Sequence, residues 1–146
     1  MNRTYLDTSL VVASLVNEPG TSAAHRLLRQ EAATAWLISS WVETELASAL
    51  AMQGRRQAIS RAERDAAWQR FEELREARLQ VVSMEMADFA VAARLCLDEA
   101  APLRAGDALH IALCLRQRCR LASFDQALCR AGAHHGLRVE WLQIER

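Results

Sequence analysis

The chain has 146 residues, 51% of them hydrophobic and 25% charged, which is the composition of a single globular domain (1–146) and excludes a disordered chain. A chain of this length buries about two-thirds of its unfolded surface and needs no covalent staples. Its 18 basic and 18 acidic residues cancel, so no global field draws it to nucleic acid, and no apolar run reaches the ~18 residues needed to cross a membrane.

Every basic residue is arginine; there is no lysine. A P-loop needs a lysine on the phosphates and a glycine-rich loop, and both are missing. Receiver domains and haloacid-dehalogenase-like phosphatases also place an aspartate at the end of the first strand, but they set a lysine beside it, and a guanidinium does not replace a compact ammonium there. Cys96, Cys114, Cys119 and Cys129 lack Cys-x-x-Cys spacing, so nothing in their spacing motivates a zinc site with His134 or His135, and reduced thiols are expected. Asp7 follows Arg3 before any apolar leader can build, and the cytoplasm is the expected compartment.

In chain order, Thr4–Leu6 reads as a short strand that runs into Asp7, with an apolar helical pattern from Leu10 to Val16 directly behind it. Asp7 suits an N-cap as well as a site at the carboxyl edge of a sheet. After the break at 17–20, positions 21–31 resume a helix with Ala24, Leu27 and Leu28 inward. Ala35–Ile38 is a second strand. Ser40 and Glu43 then form a Ser-x-x-Glu capping box, which gives Glu43 a structural task. Glu45, about 200° around that helix from Glu43, is left without one. The helix ends near Gly54, beside Arg55 and Arg56.

Ser60 and Glu63 form a second capping box opening a charged helix to Arg78, with Ala67, Phe71 and Leu74 as its inner stripe. Leu79–Val82 is a third strand, and the next helix is expected to bury Phe89, Ala92, Ala93, Cys96 and Leu97. Beyond Pro102, residues 103–115 form a helix that is apolar nearly all round from Ala108, hence buried, with Asp107 in its first turn and His110 as a hydrogen-bonded core histidine. Leu121–Ser123 followed by Phe124-Asp125 repeats the strand–acid–helix arrangement, and Leu137, Val139 and Trp141 alternate with polar residues as an edge strand.

Alternating strands and helices imply a three-layer α/β/α sandwich around a central, mostly parallel five-stranded sheet, whose strands all end along one edge. Asp7 and Asp125 fall on that edge directly, and Glu45 and Asp107 fall in first helical turns that start from it. Four converging carboxylates repel one another unless a hard divalent ion such as Mg²⁺ or Mn²⁺ offsets their charge. Such ions activate water against phosphodiesters.

Residues Tyr5-Leu6-Asp7-Thr8-Ser9, Ser39-Ser40-Trp41-Val42-Glu43-Thr44-Glu45-Leu46, Leu103-Arg104-Ala105-Gly106-Asp107-Ala108-Leu109-His110-Ile111-Ala112 and Ser123-Phe124-Asp125 resemble the PIN-domain ribonucleases, and among them VapC toxins of bacterial toxin–antitoxin pairs. The resemblance covers essentially the whole chain. It implies a PIN-like fold, Mg²⁺- or Mn²⁺-dependent RNA cleavage, a cognate antitoxin that blocks the acidic pocket, and a homodimer. By position it assigns Asp7, Glu45, Asp107 and Asp125 to the catalytic and metal-binding set. Ser9 matches a hydroxyl beside the metal in some relatives, and Ser123 stands where threonine is common. Arg55 and Arg104 are the arginines expected to position RNA. A PIN-like module that binds RNA or protein without catalysis is the alternative.

Overall fold

A computed structural model describes residues 2–30 and 34–144. In chain order the elements are β1 (Asn2–Leu6), α1 (Thr8–Leu15), α2 (Thr21–Leu28), β2 (Thr34–Ser39), α3 (Ser40–Arg55), α4 (Arg61–Arg78), β3 (Leu79–Val82), α5 (Met86–Cys96), α6 (Ala105–Gln117), β4 (Arg120–Ser123), α7 (Gln126–His134) and β5 (Val139–Trp141). The five strands form one sheet in the order β3-β2-β1-β4-β5, with every pairing parallel. This is the expected three-layer architecture.

The connectivity dictates the layers. The chain steps from β1 to β2 to β3 in one direction, then crosses to β4 and β5 in the other. Right-handed crossovers therefore put α1–α4 on one face and α5–α7 on the opposite face. The contacts agree: α1 packs on α2, α3 and α4, and α5 packs on α6. The direction reverses between β1 and β4, where Leu6 pairs with Ala122. Neighbouring strands that send their helices to opposite faces open a crevice at their carboxyl ends. Asp7 and Asp125 stand at its two sides.

Tyr5, Leu6, Leu37, Ile38, Leu121 and Ala122 are fully buried, so the central strands are apolar on both faces, as a doubly covered parallel sheet requires. Ala24, Leu27 and Leu28 of α2 and Ala67 and Phe71 of α4 are buried where the helical period places them. Residues 108–114 of α6 are buried all round. The extension of α2 to Glu31 lies outside the described residues.

Three local expectations are corrected. The cap of α3 is Ser39, one residue earlier than expected, with Oγ accepting the Val42 N–H at 3.2 Å. Ser40 Oγ instead accepts the Met84 N–H at 3.1 Å, and Glu43 pairs with Arg75 at 3.0 Å. The buried face of α5 is Asp88, Ala92 and Leu95, while Phe89, Ala93, Cys96 and Leu97 are exposed. The helix is turned by a polar contact: Arg116 grips buried Asp88 with Nε–Oδ1 and Nη2–Oδ2 bonds of 2.8 and 2.9 Å. On edge strand β5, Trp141 is exposed and its indole N–H donates to the Phe124 carbonyl at 3.1 Å.

Candidate active site

Asp7 follows β1 and caps α1. Its Oδ1 accepts the Leu10 N–H at 3.2 Å, so the cap reading holds, on a residue that stands at the carboxyl edge of the sheet. The carboxylate is buried. Ser9 Oγ donates across both its oxygens at 2.8 and 2.9 Å, and Ser123 Oγ, at the end of neighbouring β4, donates to Oδ2 at 2.8 Å. Burial raises the Asp7 pKa above its ordinary value; the charge of His110 and the bonds from Ser123, Ser9 and Leu10 only partly offset it.

Glu45, in the second turn of α3, is held through one oxygen. Its Oε1 accepts from Thr8 Oγ1 at 2.6 Å and from His110 Nε2 at 2.5 Å. Burial alone would raise this carboxyl, but the His110 bond and charge and the Thr8 bond outweigh it and hold the pKa below the ordinary value. His110 is itself buried, and its Nδ1 lies 2.6 Å from Tyr5 Oη, which lies 2.8 Å from Ser39 Oγ. These contacts form one buried chain, from the Val42 N–H to Ser39 Oγ, through the Tyr5 hydroxyl to His110 Nδ1, and from Nε2 to the Glu45 carboxylate.

Asp107 lies in the first turn of α6, three residues before His110 and on the same helical face. It is half-buried, and among the described residues no donor hydrogen-bonds its carboxylate. Burial raises its pKa first; the negative charges of Asp125 and Glu45 raise it further, against smaller opposing effects of His110 and Arg104. Asp125 is exposed and caps α7, accepting the Leu128 N–H at 3.1 Å, while Ser123 Oγ accepts the Asp125 N–H at 2.9 Å. Gly106 lets the first turns of α3 and α6 approach: a Cβ there would sit 3.2 Å from Glu45 Oε2 and 3.5 Å from the Trp41 ring.

The four acids thus face a common space, linked by Ser123 between Asp7 and Asp125 and by His110 beneath Glu45. They do not close into a tight cluster. Among the described residues the one trio of His, Cys, Asp or Glu donors gathered within 4.8 Å is Asp98, His134 and His135. All four cysteines are free thiols and none joins a ligating group there. Arg104 precedes α6 beside Asp107, exposed to solvent. Arg55 is exposed at the far end of α3, and its neighbour Arg56 lines a surface groove of about 580 Å³ that runs along α3 from Thr8, Trp41 and Glu45.

His110 is the hydrogen-bonded core histidine expected, while the polar contacts of Thr8 with Glu45 and of Tyr5 with His110 add to the site what the strand and helix patterns do not reveal. The spacing Asp107-x-x-His110, one helical turn, was the available signal.

The sequence profile of the PIN domain matches residues 4–133. No curated protein matches the chain. Among solved structures, VapC20 of Mycobacterium tuberculosis, described as a toxin cleaving the sarcin–ricin loop, has a TM-score of 0.69 at 17% identity, covering 92% of this chain and 95% of its own. FitAcB of Neisseria gonorrhoeae has a TM-score of 0.69 at 16% identity, covering 93% and 95%. VapBC2 of Rickettsia felis, bound to a DNA fragment from its promoter, has a TM-score of 0.67 at 15% identity, covering 94% and 97%. At these identities the likeness is one of fold, and with the profile spanning most of the sequence, the chain belongs to the PIN domain family.

Proposed function

We propose that the chain is a divalent-metal-dependent endoribonuclease, acting as the toxin of a toxin–antitoxin pair. The carrying observation is Asp107, half-buried beside two like charges with no hydrogen-bond donor. A carboxylate in that setting costs stability unless a cation is present. The donor set fits a hard ion, being all oxygen and largely anionic.

Asp7 and Asp107 would hold Mg²⁺ or Mn²⁺, with Glu45 and Asp125 completing the pocket directly or through water. Bound there, the ion supplies positive charge against the phosphodiester and lowers the pKa of an attacking water. The protein's own residues orient the acids. Asp7 takes bonds from three donor groups against about four lone-pair sites, so it retains capacity for an ion. Thr8 and His110 both occupy Oε1 of Glu45, which frees Oε2, the oxygen facing the first turn of α6.

The groove from Glu45 to Arg56 spans eleven residues of helix, about 16 Å, the length of a few nucleotides. Its Thr44, Ser48, Gln53 and Arg56 suit a phosphate backbone, with Arg55 beside its end and Arg104 near the acids. The fold likeness to VapC20, VapBC2 and FitAcB supports an antitoxin partner; a homodimer in the cytoplasm belongs to the same proposal. Among the described residues no helix is long and apolar enough to cross a membrane.

The test is cleavage of structured RNA with Mg²⁺, with Mn²⁺ and with chelator. Cleavage is expected only with metal, and is expected to be lost in folded Asp7→Asn and Asp107→Asn. Equal cleavage by wild type and either variant overturns the assignment. Binding of RNA by wild type with no cleavage under any metal leaves the non-catalytic module.

A further inference from the structure

At the opposite end of α7 from Asp125, about 13 Å along the helix, two adjacent histidines meet a carboxylate from another part of the chain. His134 is the last residue of α7 and His135 its C-cap. Asp98 stands in the loop between α5 and α6, with Oδ1 accepting the Ala100 N–H at 2.9 Å, which fixes the side chain. Its other oxygen, Oδ2, lies 3.2 Å from His134 Nε2 and 3.9 Å from His135 Nε2. The three donor atoms lie within 4.8 Å of one another.

We propose that Asp98, His134 and His135 form a transition-metal site of the zinc class, separate from the four-acid pocket. Bonds of about 2.0–2.1 Å to a tetrahedral ion put neighbouring donors about 3.3–3.4 Å apart. The observed 3.2 and 3.9 Å from Asp98 Oδ2 straddle that value, and all three donors already lie within 4.8 Å of one another. The Asp98–His134 hydrogen bond gives His134 a partner in the metal-free state, but it does not explain His135. The Nε2 of His135 is buried and has no hydrogen-bond partner, although it points toward the same carboxylate oxygen. Buried polar atoms without partners are uncommon, and an unprotonated imidazole nitrogen is a ligand. The rings stand edge to face with centroids 4.9 Å apart, so both Nε2 atoms approach one point without overlap of the rings.

The donor chemistry separates this site from the catalytic one. Two imidazoles and a carboxylate favour Zn²⁺, Co²⁺, Ni²⁺ or Cu²⁺ over Mg²⁺, whereas the four-acid pocket offers oxygen alone. Three protein ligands leave a fourth position for water. A bound ion would tie the α5–α6 loop to the end of the helix that carries Asp125 at its start.

Cobalt distinguishes the two sites. Untagged, metal-free protein is titrated with Co²⁺ and followed by visible absorption. Four- or five-coordinate cobalt with imidazole ligands absorbs strongly, while six-coordinate cobalt on oxygen ligands absorbs weakly. The expected result is a strong band that saturates at one equivalent, is displaced by Zn²⁺, survives in Asp107→Asn and disappears in His134→Gln, His135→Gln and Asp98→Asn. Circular dichroism on each variant confirms that the fold persists. Absence of the strong band in wild type, or its persistence in both histidine variants, overturns the proposal.

Discussion

Tyr5→Phe isolates the polar chain beneath the site, because it removes one oxygen from a residue with no exposed surface and leaves the ring packing intact. In the wild type that oxygen is hydrogen-bonded to His110 Nδ1 at 2.6 Å and to Ser39 Oγ at 2.8 Å. Burial, chiefly, and then the nearby Cys114, Asp7 and Glu45 charges hold the phenol well above its ordinary pKa, so it stays a donor wherever the protein is folded. In the variant, His110 Nδ1 becomes a buried ring nitrogen without a partner, which costs about 1–3 kcal/mol, and Ser39 Oγ loses a bond worth about 1 kcal/mol. Loss of the hydroxyl's own desolvation offsets part of this, so the expected net cost is roughly 2 kcal/mol. For a chain of this size that lowers Tm by about 4–8 °C. Urea unfolding of metal-free protein measures it. His110 also loses what fixes its ring against Glu45, so metal-dependent cleavage should fall by about tenfold, as for residues that orient metal ligands. A stability within about 0.5 kcal/mol of wild type, the scatter of neutral substitutions, refutes the buried hydrogen-bond chain.

Metal-free stability should depend on pH through Asp7 and Asp107. Both have raised folded-state pKa values, so their contribution is complete below the unfolded value of about 4 and is lost as pH rises through the folded values. In urea melts with chelator, Asp107→Asn should gain on wild type from about pH 4 to pH 7, and Mn²⁺ should reverse the order; a constant difference across that range would contradict this. Asp88 runs the other way: burial opposes its charge, but Arg116 and the Glu85 N–H hold its pKa low, so its contribution is lost as pH falls. Asp88→Ala should cost about 3 kcal/mol near neutral pH, the lower end for breaking a buried pair, because Arg116 can rehydrate. Gly106→Ala should preserve or slightly raise stability by helix propensity, up to about 1 kcal/mol, yet reduce cleavage by displacing Glu45 Oε2, 3.2 Å from the new methyl. Full activity in that variant would sever Glu45 from the chemistry. Gly136→Ala, at φ +90° with open space around it, should cost about 1 kcal/mol from backbone strain alone, read by the same melts.

The layered fold was legible because each of the first four strands is a short apolar run closed by an acid or hydroxyl and followed by a helical period. Asp7 and Asp125 are caps as well as edge residues, and both facts are local. What failed was local reading of contacts made at a distance. Ser40-x-x-Glu43 satisfies a capping pattern, but Ser39 caps the helix from the end of β2 through the Val42 N–H, and Ser40 is drawn away by Met84. The apolar residues of α5 suggested one face, but the ion pair of Asp88 with Arg116, 28 positions away, selected another and left Met86, Phe89 and Leu97 at 85%, 49% and 81% exposure. The Asp98–His134–His135 trio has the same origin. Its halves lie 36 positions apart, and only the packing of the α5–α6 loop against α7 joins them.

The acids differ most in how completely the protein already satisfies them. Asp7 has three donor groups on its two oxygens, Glu45 has two on one oxygen, Asp125 has a backbone N–H, and Asp107 has none among the described residues. A carboxylate anchored by donors keeps its position whether or not an ion is bound. One surrounded by like charges gains most when an ion arrives. In the proposed metal site Asp7 and Glu45 would therefore set the geometry, and Asp107 would couple occupancy to folding. Asp107 shares a helical face with His110, and His110 is bonded through Tyr5 to Ser39 at the end of β2. The residue that would respond most to an ion is thus carried by the helix that His110 ties through Tyr5 to β1 and Ser39.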